Sequence, residues 1–123
     1  MPGSTPFSDP TSGSITTRVT TGADGRTLVV RLVGEIDVAL QQQADAAMAR
    51  VVELRLPVAL DLADVSLLGA TGLTFIARCE HSCADAGVRC VVQHVTPNVA
   101  RVLTALGLDA VLRRVEPGPV VAS

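Results

Sequence analysis

Apolar and polar residues repeat with two periods along the chain, and the switches between them mark out its elements. Residues 15–21 alternate with a period of two and are rich in β-branched side chains, which predicts an edge strand. Gly22-Ala23-Asp24-Gly25 is a turn sequence, and residues 28–33 (LVVRLV) form a more apolar strand, so the two make a hairpin. Across residues 38–56 the period becomes helical. Leu40, Ala44, Ala47, Met48, Val51, Val52 and Leu54 recur at spacings of three and four, until Pro57 ends the run. Residues 58–62 (VALDL) are a short apolar run of the kind buried in parallel sheets. A second helix is expected over residues 72–86, closed by Gly87, followed by a strand at 88–94. A third helix at 97–106 opens on a proline and closes at Gly107, and a last short strand covers 110–115.

The order β-β-α-β-α-β-α-β predicts an α/β fold with one mixed β-sheet and helices packed on one face. Residues 1–14 (MPGSTPFSDPTSGS) read as a flexible leader, 15–115 as one domain, and 116–123 (EPGPVVAS) as a loose tail.

Composition narrows the functions open to such a domain. Of the 123 residues 48% are apolar, so a packed core is expected, yet the only aromatics are Phe7 and Phe75. A base-stacking surface is therefore excluded. Ten Lys and Arg against twelve Asp and Glu leave a net charge of −2, with no basic excess to neutralise nucleic-acid phosphates. The longest charge-free run, residues 65–77, is well short of the roughly 20 residues that span a bilayer. The leader has neither the basic start nor the apolar block of a signal peptide, and three cysteines do not make a secreted disulfide framework. The expected location is the cytoplasm, without nucleic-acid or membrane partners.

Candidate chemistry gathers at two junctions. The segment Val65-Ser66-Leu67-Leu68-Gly69-Ala70-Thr71-Gly72-Leu73 is expected to be the loop from the buried strand to the second helix, a place where α/β sheets meet ligands and partners. Thr71, one residue before that helix, suits an N-cap. It also suits phosphorylation, since a dianion there would lie against unpaired N–H groups and the positive end of the helix dipole. One residue can serve both ends. The second junction is Gly34-Glu35-Ile36-Asp37. Asp37 suits a cap for the first helix, and if the two strands are neighbours, Asp37 and Thr71 share one edge of the sheet.

These segments carry a resemblance. LVVRLVGEIDVAL, VALDLADVSLLGATGL and VTPNVARVLTALGLDAVL together resemble the STAS domain of anti-sigma-factor antagonists, over roughly residues 15–115. Gly34-Glu35-Ile36-Asp37 matches that family's first motif. Thr71, Gly72 and Leu73 match its second, and Pro97, Val99, Arg101, Leu103, Gly107 and Leu108 its third. The resemblance implies a partner switch without catalysis. The unmodified protein binds an anti-sigma factor that is also a serine-protein kinase, and so frees a sigma factor for transcription. Phosphorylation at Thr71 lowers affinity, and a phosphatase restores it. Glu35, Asp37, Gly69, Ala70, Thr71, Gly72 and Leu73 would then form the partner-binding surface. No cofactor is implied. Two departures stand out. Gly69 and Ala70 replace the acidic and small hydroxyl residues usual before the acceptor, which favours an alternative: a STAS-type binding or ligand-sensing module, for a nucleotide or other small ligand, without phosphoregulation. The tail is also too short for the family's terminal helix, so an apolar face would be left for a partner or for a homodimer.

Other constellations carry less. Cys79 and Cys83 share a helix face, but Cys90 and His94 are four residues apart on a strand, about 13 Å between Cα atoms. Tetrahedral zinc needs ligands within about 2.3 Å, so the four cannot close on one ion, and the cysteines are expected to be buried thiols. There is no Ser-His-Asp set, HExxH or phosphate-binding glycine loop, so no catalytic residue is assigned.

Overall fold

A computed structural model of the chain describes residues 13–107. β1 (Ser14–Gly22) and β2 (Gly25–Ile36) form the expected antiparallel hairpin, with Ser14 opposite Val33 and Gly22 opposite Gly25. β3 (Val58–Leu68) runs parallel to β2, and β4 (Cys90–Gln93) parallel to β3, giving the sheet order β1-β2-β3-β4. The helices are α1 (Gln41–Leu54), α2 (Ala70–Ala86) and α3 (Pro97–Ala105), and a 3-10 turn, Val38–Leu40, precedes α1. This is the α/β mixed sheet read from the sequence. Ser14, assigned to the leader, already belongs to β1. Residues 1–12, Leu108, the strand expected at 110–115 and the tail lie outside the described residues.

One core joins the sheet to the helices. Leu28, Val30, Leu32 and Ile36 of β2 face inward at a period of two and meet Ala44, Ala47, Met48 and Val51 of α1. Phe75, Ile76, Cys79 and Cys83 of α2 and Val99 and Leu103 of α3 complete the cluster. Met48 Sδ and Cys79 Sγ touch at 3.7 Å where α1 meets α2. On the reverse face Arg31 pairs with Asp64, both half-exposed.

The strands differ from their expected lengths for a definite reason. β2 and β3 stay hydrogen-bonded far beyond residues 33 and 62, but β3 carries two extra residues. Arg31 and Val33 face Asp61 and Asp64, and Gly34 and Glu35 face Val65 and Leu67. Each step inserts one β3 residue, a bulge. The inward positions of β3 therefore run 58, 60, 62 and then 65, 68, and the alternation that marks a strand disappears where the bulges begin. Gly34 lies between the two shifts with φ 79°, a conformation that side chains with a Cβ rarely adopt. Helix α1 also ends two residues early, because Arg55 takes the left-handed cap at φ 52°.

Candidate functional site

The bulged end of the β2–β3 pair brings the two candidate junctions together. Ile36 and Leu68 are register partners, and the Gly69 N–H donates to the Ile36 carbonyl at 2.9 Å. A Cβ built on Gly69 would lie 3.3 Å from that oxygen and 3.6 Å from the Asp37 Cβ. A Cβ on Gly72 would fall 2.5 Å from Leu68 Cδ1 and 2.9 Å from Ile36 Cγ2. Both glycines thus let the start of α2 press against the β2–α1 junction.

Asp37 is half-buried in extended backbone. Its Oδ1 accepts from the Ala39 N–H at 3.0 Å, and its carbonyl accepts from the Leu40 N–H at 2.9 Å. It caps a helix start as expected, although the turn it caps is 3-10 and α1 proper begins at Gln41.

Thr71 corrects the sequence reading. It does not precede α2 and does not cap it. The cap is Gly69, which offers no side chain, and the helix begins at Ala70. The cause is the length of β3. With the strand running to Leu68, one residue remains before the helix, and Thr71 falls inside the first turn. Its hydroxyl donates to Gln41 Oε1 at 3.5 Å, at the outer limit for such a bond, and the side chain is partly exposed. So the hydroxyl is loosely held and reachable from solvent.

The other assigned residues lie around this point. Glu35 is half-buried at the end of β2 opposite Leu67, Ala70 is exposed, Leu73 is half-buried, and Gly72 is buried beneath the surface. Four residues escaped the sequence reading. Val38 and Leu67 are apolar yet 77% and 53% exposed beside Asp37 and Glu35. Gln41 meets the Thr71 hydroxyl, and Arg78 lines with Thr71 a recess of about 240 Å³ between α1 and α2. Val38 only opens the span read as the first helix; in the structure it starts the 3-10 turn, which buries Leu40 and leaves Val38 outside.

The sulfur and imidazole groups lie elsewhere. Cys79, Cys83 and Cys90 are buried. Burial, reinforced by Cys83, pushes the Cys79 thiol far above the ordinary range, and a hydrogen bond with Cys83, then burial, does the same to Cys90. Both stay protonated and unreactive at neutral pH. His81 is exposed, 3.6 Å from Asp85, and His94 is exposed at the end of β4. Among the described residues no helix is long and apolar enough to cross a membrane.

Residues 14–121 match the STAS domain family, and the chain belongs to it. No curated protein matches the chain. Its fold is similar to that of an anti-sigma factor antagonist from Mycobacterium paratuberculosis, with 27% identity, a TM-score of 0.67, and coverage of 94% of this chain and 92% of that one. It is also similar to the Bacillus cell fate determinant SpoIIAA in its phosphorylated form, at 15% identity, TM-score 0.66, and 87% and 93% coverage. The murine solute carrier 26 anion transporter, member A9, matches at 16% identity and TM-score 0.58, over 85% of this chain and 20% of that one. The last two show a shared fold.

Proposed function

We propose that this protein is an anti-sigma-factor antagonist. It docks a kinase-type anti-sigma factor on the end of the sheet that carries Asp37 and Thr71, and phosphorylation of Thr71 turns docking off. The observation that carries this reading is the contact from the Gly69 N–H to the Ile36 carbonyl, which brings the junction bearing the capping Asp37 carboxylate against the start of the helix bearing the loosely held Thr71 hydroxyl. The exposed Val38 and Leu67 supply apolar area to a partner, and Leu73 adds more. A phosphate brings about −1.5 to −2 charge into that surface, at the start of α2 where the fold tolerates it and a docked partner does not. The similarity to the mycobacterial antagonist supports the same reading. Regulation of sigma-dependent transcription, reversal by a phosphatase and a cytoplasmic location follow from it.

The test is phosphate incorporation by the cognate anti-sigma kinase, followed by calorimetric binding of the two forms. Labelling is expected to disappear in Thr71→Ala, and affinity to fall at least tenfold on phosphorylation. Labelling that survives in Thr71→Ala overturns the site.

Gly69 and Ala70, in place of the acid and hydroxyl usual before the acceptor, favour a second reading in which the same surface binds a partner or a small ligand without phosphoregulation. Saturable micromolar heat with ATP or GTP, together with no labelling of Thr71, would select it.

A further inference from the structure

Thr71 and Arg78 line the same recess between α1 and α2. Seven residues apart on one helix, they lie on one face with about 10.5 Å between them along the axis. With bonds near 1.5 Å, an extended arginine reaches about 6–7 Å from its Cα and a phosphothreonine about 4–5 Å, so the two groups span that gap. Helical side chains lean toward the N-terminus, which carries Arg78 toward Thr71; Thr71 shares that lean, so the long arginine and the rotation of the phosphate about its ester bonds do the spanning.

The guanidinium is otherwise uncommitted. Arg78 is exposed and makes no hydrogen bond or ion pair among the described residues. The rest of the recess is neutral, with Gln41 and Thr74 as its other polar residues. The ionisable groups around Arg78 are Asp45 and Glu53, which line a second groove with it from α1, and Arg55, His81 and Asp85, which line a third. Asp45 is itself taken up by the Gln41 side-chain amide at 3.0 Å. A phosphate outbids any of these carboxylates, because it carries more charge and accepts both arms of the guanidinium.

We infer that Arg78 is the internal counter-ion of a phosphate carried by Thr71. It draws the dianion into the recess between α1 and α2 and holds it there. The inference rests on Thr71 being the phosphoacceptor, and concerns what the phosphate does once attached. The doubly ionised form is favoured by the guanidinium, so the switch is fully charged at neutral pH and the phosphate has one fixed position on the docking face.

Phosphothreonine incorporated at position 71 during translation, followed by phosphorus NMR titration, tests this without any kinase. The second phosphate pKa is expected below its usual value of about 6 by about 0.5–1. In Arg78→Gln it rises by about 0.5 toward the usual value, the positive end of α2 accounting for the rest of the lowering, whereas in Arg55→Gln, which removes a nearby cation outside the recess, it stays low. Identical titrations in the parent and Arg78→Gln, or an equal loss in Arg55→Gln, overturn the inference. Those results leave the phosphoacceptor assignment standing. Failure of the kinase to label Thr71 removes that assignment and leaves the titration unaffected.

Discussion

Helices α2 and α3 both follow a parallel strand and both carry a threonine near their start, yet they use it in opposite ways. At α3, Thr96 is the cap. Its hydroxyl accepts from the Val99 N–H at 3.4 Å, and Pro97 follows in the first turn. At α2 a glycine takes the cap position, and the hydroxyl of Thr71, two residues on, has only a long contact to Gln41. A capping hydroxyl is tied into the backbone it stabilises. Moving the cap to Gly69 releases the Thr71 hydroxyl from structural work, and the close packing of Gly69 and Gly72 on the β2–α1 junction replaces the missing cap as the anchor of α2.

That contrast predicts a ranked set of effects. The largest is at the packing anchor. Gly72→Val pushes side-chain atoms into Leu68 and Ile36 and is expected to lower stability by about 2–3 kcal/mol in urea unfolding, through overpacking. A loss below about 0.5 kcal/mol would mean that the junction can open, and that glycine packing does not anchor α2.

Next are the far half of α2 and the strand β4, where the nucleophilic sulfurs are sealed while Thr71 is open. The folded-state pKa of Cys79 and Cys90 lies above the ordinary 9.0, so the folded state keeps protons that the unfolded chain releases. Stability from this source is intact below pH 9.0 and is lost as pH rises beyond it, by about 1.4 kcal/mol per pH unit for each thiol. Urea midpoints that hold constant from pH 8.5 to 9.5 would contradict the sealing of these thiols.

The sharpest comparison is the smallest in energy. Thr96→Ala is expected to cost about 1 kcal/mol, the usual loss of a capping hydroxyl, and Thr71→Ala only a few tenths. Equal losses would show that the Thr71 hydroxyl is structural, and the release argument would fail. Asp37→Ala, which removes a side-chain cap from a short 3-10 turn, is expected between the two, at about 0.5–1 kcal/mol.

Much of this was legible along the chain. The hairpin turn, the helical periods of α1 and α2, the glycine closing α2 and the proline opening α3 all obey local rules, and the elements appeared at nearly those places. The GEID segment and Thr71 stood out, and their meeting at one sheet end was conditional on the pairing of β2 with β3, which the register provides. What failed was the end of β3. Two bulges changed the inward period from two to three, so Val65 and Leu68 looked like loop residues although they are core. That single misreading shifted the start of α2 and gave Thr71 a capping role it does not have.

The sequence by itself determined the class of sheet, the order of its elements and the residues capable of chemistry, because these depend on periodicity and turn residues within one segment. The tertiary structure decided how those residues are used. Strand pairing set the bulges, the bulges set where α2 begins, and the packing of two glycines on Ile36 and Leu68 placed a loosely held hydroxyl at the junction that carries Asp37, in one recess with Arg78. Each of those steps depends on contacts between segments far apart in the chain, where local periodicity has no reach.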